Sequence, residues 1–209
     1  MSMRVVVDNG PRQARQTAPA QRLKRATPSA SLRSATAADA PAIHALIASH
    51  LEEGHLLPRT LDELTVHASR FVLAVVRSKN ADRIVGCAEL APLSGAVAEV
   101  RSLVVGRDAR GVGLGRRMVD ELGRRARRDG FLKLCAFAHD PGFFVGLGFS
   151  IVPHTWVPEK IAHDCASCPL FRSCGQYAIL LELMGMSATK TPAEAARGTS
   201  VRSTVGHRV

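Results

Sequence analysis

The sequence is poor in aromatic residues and has no long apolar run. Phe, Trp and Tyr make up 4% of the 209 residues, with one Trp and one Tyr, so few rings are available to stack on single-stranded nucleic acid. No stretch approaches the roughly 18 consecutive apolar residues of a membrane span, and the first residues lack the apolar core of a secretory signal. We therefore expect neither membrane insertion nor secretion.

Cysteine is also scarce and unevenly placed. The chain has five Cys, an odd number, and three of them fall within residues 165–174. A disulfide framework usually has an even number of spaced cysteines. This pattern favours a reducing compartment, and we expect a cytoplasmic protein. The Arg-rich, acid-poor start leaves an organelle transit peptide as the alternative.

Acidic residues are scarce only at the two ends of the chain. The net charge is +10, but residues 1–35 contribute +6 and residues 185–209 contribute +3. The segment between them is nearly neutral, and 46% of the whole chain is hydrophobic, which is enough for a buried core. We predict a disordered basic arm over residues 1–30, one globular domain over residues 31–184, and a disordered tail over residues 185–209.

Apolar periodicity in the central segment predicts alternating strands and helices. Strands are expected at residues 31–35, 71–76, 84–90, 98–105, 132–137, 149–152 and 177–183. Helices are expected at residues 39–49, 60–69, 115–129 and 141–146. Because hairpins come first and a βαβ unit follows, we predict a single-domain α/β (α+β) fold in which helices flank a mixed central sheet.

The most informative segment is a glycine-rich turn between a predicted strand and the long helix. Gly111, Gly113 and Gly115 leave room for a ligand to approach the backbone, and the free N–H groups of a helix start attract anions such as a pyrophosphate. A Walker A loop needs Gly-Lys-Ser/Thr, whereas Arg116 follows Gly115 here. A dinucleotide fingerprint needs G-x-G-x-x-G, but these glycines are spaced G-x-G-x-G. Taken alone, the turn also fits a helix start with spare glycines.

The context of this turn resembles the GCN5-related N-acetyltransferases (GNAT). Arg110-x-x-Gly113-x-Gly115 is similar to their Arg/Gln-x-x-Gly-x-Gly/Ala motif, which also follows a central strand and opens a long helix. Downstream, FFVGLGF at residues 143–149 is similar to their F-Y-x-x-x-G-F segment. A narrower resemblance, to the short amino-acid N-acetyltransferases that act as N-acetylglutamate synthases, rests on EEGHLLPR at 52–59, EVRSL at 99–103, and the PEK and DCxxCPxxxxC segments within 158–174.

This resemblance implies acetyl transfer from acetyl-CoA to the α-amino group of an amino acid. L-Glutamate is the expected acceptor, which would place the reaction in arginine biosynthesis. Backbone groups at the end of the central strand would hold the thioester and stabilise developing negative charge, and those of the turn would hold the pyrophosphate. The residues assigned to acetyl-CoA are Leu103, Val104, Val105, Arg110, Gly111, Val112, Gly113, Leu114, Gly115, Arg116 and Phe144.

The resemblance also suggests which side chains act on the acceptor. Glu99 is the expected general base, because only a neutral amine attacks the thioester; the alternative is a strand carboxylate that faces solvent or pairs with Arg101. Arg59 and Arg101 are expected to bind acceptor carboxylates, with a surface arginine and a strand salt bridge as the respective alternatives. The general acid stays unassigned, because Phe144 stands where many GNAT enzymes have Tyr and has no proton to give.

The cysteine cluster resembles a metal site in its residue types. Cys165, Cys168 and Cys174, with His163 just before them, supply the ligand types of a tetrahedral zinc centre. There is no second C-x-x-C pair, so thiols in a substrate-side loop, or a redox-sensitive pair, are the alternatives.

Two other functions stay open at this point. One is a GNAT enzyme that acetylates a polyamine, a drug or a protein N-terminus. The other is a nucleic-acid-binding protein that acts through its basic tails and loses affinity steeply with salt. We expect the partners to be acetyl-CoA and a small amino acid, without membrane or nucleic acid, and the sequence is compatible with a homodimer.

Overall fold

The computed structural model describes residues 30–53, 56–77, 82–168 and 171–183. They form a seven-stranded sheet with the order β1-β2-β3-β4-β5-β7-β6. The strands are β1 (Ala30–Ser34), β2 (Phe71–Val76), β3 (Arg83–Pro92), β4 (Val97–Val105), β5 (Lys133–Ala138), β6 (Ser150–Val152) and β7 (Tyr177–Glu182). Apart from Ala30, the predicted arm and tail lie outside the described residues, so their disorder stays a prediction.

Helices connect the strands and cover the sheet. They are α1 (Ala40–Ala48), α2 (Leu61–Val66), α3 (Leu114–Arg128), α4 (Gly142–Val145) and α5 (Pro158–Lys160), which continues as a π-helical turn, Ile161–Cys165. The predicted mixed sheet flanked by helices is confirmed; α5 and its π-helical turn were not predicted. No helix in the described ranges is both long and apolar enough to cross a membrane.

The sheet forks in its centre. Its neighbouring strands are antiparallel except β4 and β5, which are parallel. Parallel pairing joins only Val97–Glu99 to Lys133–Cys135, although β4 continues to Val105. Beyond Glu99, β4 therefore presents backbone N–H and C=O groups that have no partner on the β5 side.

Apolar layers on both faces of the sheet fix the elements around this fork. Helix α3 buries its predicted apolar stripe, which includes Met118 and Leu122, against one face. Helices α1 and α2 bury Ile43, Ile47 and Leu64 against the other. Each fully buried aliphatic side chain of this size stabilises the fold by about 1.5–3 kcal/mol. The start of α3 is thus held firmly at the end of β4.

Candidate active site

The glycine-rich turn is a candidate anion site at the start of α3. Gly111 and Gly113 have φ angles of +81° and +79°, a left-handed conformation in which a Cβ atom is strained. Gly113 is the N-cap of α3 and has no side chain to accept a hydrogen bond. The N–H groups of residues 113–116 therefore lack intrahelical partners, and with the helix dipole they favour a bound anion.

Gly115 lets α4 approach this turn. A Cβ atom at Gly115 would lie 3.3 Å from the ring of Phe143, which is tighter than ordinary packing. Phe143 is 42% exposed, whereas Phe144 is 7% exposed and packs edge-on against Phe149 with ring centroids 5.3 Å apart. Phe144, assigned to acetyl-CoA from the sequence, is thus a core residue, and Phe143 is the ring beside the turn.

Arg110 and Arg116, both assigned to acetyl-CoA from the resemblance, donate hydrogen bonds to other parts of the chain. Arg110 donates from Nε to the carbonyl of Val105 at 2.9 Å, and from Nη2 to both carboxylate oxygens of Glu53 at 2.8 and 3.0 Å. The hydrogen bonds that Glu53 accepts from Arg110 and, to a lesser degree, from Arg107 lower the pKa of Glu53 to about 2. Arg116 donates to the carbonyl of Gly146 at 2.7 Å. Both side chains tie the turn to neighbouring segments, and the anion site rests on backbone groups.

Strand β4 is distorted just after the fork. Ser102 has a φ of +49°, an uncommon conformation for a residue with a side chain. The register between β3 and β4 shifts opposite it, between Cys87 and Glu89, which is a β-bulge. The bulge and the fork together leave the backbone of residues 103–105 along the opening between β4 and β5. The resemblance assigned these residues to the thioester of acetyl-CoA.

Glu99 lies at the fork, with a side chain only 5% exposed. Its carboxylate accepts a hydrogen bond from Arg101 Nε at 2.6 Å and two from Lys160 Nζ at 2.8 and 2.9 Å. The same Nζ lies 5.1 Å from the ring centroid of Phe137 on β5, a favourable cation–π distance. The structure thus shows Glu99 paired with Arg101, which was the alternative to its role as a base. Lys160 is a second cation bound to the same carboxylate.

Asp164 completes a four-residue group with these side chains, which we call the Glu99 network (Glu99, Arg101, Lys160 and Asp164). It accepts a hydrogen bond from Lys160 Nζ at 2.8 Å and another from Arg101 Nη2. Burial alone would raise the pKa of Asp164, but hydrogen bonds from Lys160 and His163 lower it. Two anions and two cations leave the Glu99 network without net charge.

Arg59 reaches the same face of the sheet from the segment that precedes α2. Its side chain is 10% exposed, so the alternative of a surface arginine is wrong. Nη1 donates to Glu89 at 2.8 Å and to Ser102 Oγ at 3.0 Å, and Nη2 lies 2.8 Å from Glu63. Burial alone would lower the pKa of Arg59, but its bonds to Glu89 and Glu63 raise it. The two candidate acceptor cations, Arg59 and Arg101, therefore both have carboxylate partners.

Sequence reasoning missed Glu89 and Lys160. Glu89 is directly opposite Arg101 in the β3–β4 register and is 1% exposed. Its sequence signal is a single acid inside an otherwise apolar strand, which is rare in cores. The signal for Lys160 is its spacing of four residues from Asp164, which places both on one side of a helix.

The predicted zinc site is not found. Cys165 and Cys168 are partly buried, Cys174 is exposed, and the three are free thiols. Within the part of the chain that the structure describes, no group of three or more His, Cys, Asp and Glu side chains is arranged to hold a metal ion. The exposure of Cys174, against the partial burial of the other two thiols, is the observed difference from a shared metal site.

Solved structures with a similar fold contain coenzyme A. N-Acetylglutamate synthase from Neisseria gonorrhoeae, complexed with coenzyme A and N-acetyl-glutamate, is 27% identical with a TM-score of 0.64, and the match covers 74% of this chain and 35% of that chain. The chain thus spans about a third of the synthase. A Mycobacterium tuberculosis protein in complex with CoA is 23% identical with a TM-score of 0.63, covering 74% and 99% of the two chains; at this identity the likeness shows the fold alone.

Sequence comparison identifies the family. An uncharacterized N-acetyltransferase from Chlorobaculum tepidum is 28% identical over 152 residues, which cover 73% of this chain and 96% of the relative. The family model of the Acetyltransferase (GNAT) family matches residues 40–144, half of the chain, and this segment includes β4, the fork, the glycine-rich turn and α3. The chain therefore belongs to the GNAT family of acetyltransferases.

Proposed function

We propose that the protein transfers the acetyl group of acetyl-CoA to the α-amino group of an amino acid, and that L-glutamate is the acceptor. The observation that carries the proposal is the position of the anion site relative to Glu99 and Arg101. The anion site follows the end of β4, and the same strand separates from β5 at Glu99, next to Arg101. Membership of the family supports acetyl transfer. The N-acetyl-glutamate bound to the gonococcal synthase supports the acceptor, and the reaction would then serve arginine biosynthesis.

The residues present fit acetyl-CoA. Four backbone N–H groups, at residues 113–116, suit a pyrophosphate. The edge of β4 at residues 103–105 has no neighbouring strand from the described residues on the β5 side, although Arg110 donates to the Val105 carbonyl, and it suits an extended amide chain in the way that a sheet edge accepts another strand. When bound, acetyl-CoA supplies an activated acyl group. The chain's own backbone donors orient the carbonyl and stabilise negative charge on its oxygen.

Arg101 links acceptor binding to the proposed base. In the described state Glu99 is held by two cations, which opposes its action as a base. An acceptor α-carboxylate that binds the Arg101 guanidinium would take over the hydrogen bond that Glu99 now receives at 2.6 Å. Oε2 of Glu99 would then keep only its 2.9 Å hydrogen bond from Lys160, and its second lone pair would be available to the ammonium proton, directly or through a water molecule.

An acceptor panel tests the proposal. Thiol release from acetyl-CoA is measured with L-glutamate, L-glutamine, L-aspartate and L-leucine, and with spermidine as a non-amino-acid amine. We expect the largest kcat/KM with L-glutamate. N-Acetyl-L-glutamate, whose α-amino group is blocked, is the matched control and should release no thiol. Absence of thiol release with every amino acid, or faster release with spermidine, would contradict the proposal.

A further inference from the structure

Glu89 is a buried carboxylate that the proposed chemistry does not use. Its side chain is 1% exposed, and Oε2 lies 2.8 Å from Arg59 Nη1. Oε1 lies 4.0 Å from His67 Nδ1 and 4.0 Å from Arg70 Nη1. A buried ion pair contributes little net stability compared with apolar residues of similar size. A carboxylate beside a candidate acceptor cation therefore points to a role in acceptor recognition.

Two unsatisfied nitrogen atoms flank this carboxylate. Arg59 Nε and His67 Nδ1 are buried and have no hydrogen-bond partner among the described residues. A buried polar atom without a partner is costly, and such atoms in native structures commonly await a ligand or a water molecule. The Arg59 side chain is nine-tenths buried, and its Nε–H is a donor that an acceptor oxygen bound next to Glu89 would satisfy.

We infer that Glu89 sets the charge selectivity of the acceptor site for the acceptor's side chain. The inference rests on the proposed function, since it concerns an amino acid bound near Arg59. Glu89 and Glu63 already neutralise that guanidinium, so a third carboxylate, from an acidic acceptor, is repelled by Glu89 in a buried, weakly screened environment. Glu89 thereby makes the preference for L-glutamate smaller than Arg59 alone would give, compared with L-glutamine, which has the same shape without the charge.

The variant Glu89→Gln tests this, because it removes the charge and keeps the shape. We expect the ratio of kcat/KM for L-glutamate to that for L-glutamine to rise at least about tenfold, while the KM for acetyl-CoA stays within about twofold. The matched control is Glu63→Gln, which removes a carboxylate from the same guanidinium. Because Glu63 is 39% exposed, water screens its charge, and the ratio should change less than about threefold.

The outcomes separate this inference from the proposed function. A wild-type protein that acetylates neither amino acid contradicts the proposed function, and the inference falls with it. An active, folded Glu89→Gln with an unchanged or lower ratio contradicts the inference alone and leaves Glu89 as a residue that positions Arg59. If Glu89→Gln does not fold, the double variant Arg59→Gln/Glu89→Gln removes both buried charges. Compared with Arg59→Gln alone, it should have a higher ratio of kcat/KM for L-glutamate to that for L-glutamine, and equal ratios in the two variants would overturn the inference.

Discussion

Replacing Lys160 by Met removes one of the two cations that hold the buried Glu99. Lys160 Nζ contributes two of the three hydrogen bonds to that carboxylate, at 2.8 and 2.9 Å, and its side chain is 15% exposed. Met preserves the apolar stem against Phe137 but cannot donate a hydrogen bond. Glu99 is then left with Arg101 alone, at a site that water barely reaches.

The structure sets the size of the effect. Loss of one partner from a fully buried ion pair costs about 3–5 kcal/mol. Arg101 remains in place and Lys160 is partly exposed, so we expect a loss of about 2 kcal/mol in the free energy of unfolding, or about 4–8 °C in Tm. Urea unfolding followed by far-UV circular dichroism measures it. Fluorescence is a poor probe, because the single Trp, Trp156, is 61% exposed.

A double-mutant cycle isolates the Lys160–Glu99 interaction. Once Glu99→Gln has removed the negative charge, Lys160→Met should cost only about 0.5 kcal/mol, which gives a coupling energy of about 1.5 kcal/mol. Lys133→Met is the matched control, because its partner Glu182 lies 3.6 Å away with both side chains well exposed, and it should cost less than about 0.5 kcal/mol. A coupling energy below about 0.5 kcal/mol would refute the view that the Glu99 network is desolvated and tightly held.

Three further predictions concern activity. Glu99→Gln should lower kcat about 100-fold or more, because the ammonium loses its proton acceptor; wild-type kcat at every pH tested by thiol release would show that Glu99 is not the base. Arg59→Ala should raise the KM for L-glutamate at least about tenfold with little change in the KM for acetyl-CoA, and equal effects on both would contradict the assignment. Gly113→Ala places a Cβ atom at φ +79° and should raise the KM for acetyl-CoA while lowering stability by about 1 kcal/mol. Gly130→Ala, at φ +85° beyond the other end of α3, is its control: it should lower Tm similarly and leave both KM values unchanged.

Local patterns predicted most of the fold. The apolar residues of α3 recur at helical spacing, and Met118 and Leu122 are buried as that spacing requires. The six consecutive apolar residues of β2 are buried at every position, as expected for a strand covered on both faces. The glycine-rich turn was predictable because Gly113 is needed for a backbone conformation that other residues avoid.

Charge partners were not predictable, because they depend on distances across the fold. Glu99 and Lys160 are 61 residues apart, and Arg59 and Glu89 are 30 apart. The local sequence around these residues gives no sign of the pairs. An arginine that was predicted to bind a ligand therefore already binds a carboxylate of the chain. Packing was not predictable for a related reason: adjacent residues on a helix differ by about 100° in direction, and Phe144, assigned to acetyl-CoA, is 7% exposed whereas Phe143 is 42% exposed.

The π-helical turn at Ile161–Cys165 makes the active site sensitive to the length of this segment. The N–H of Ala166 donates to the carbonyl of Ile161 at 3.0 Å, so the turn holds one residue more than an α-helical turn. Deleting a residue between Lys160 and Asp164 would convert this turn into an α-helical one and change their spacing from four residues to three, so the carboxylate would shift relative to Arg101. Single-residue deletions that an ordinary surface helix absorbs are therefore expected to inactivate the protein here while leaving it folded.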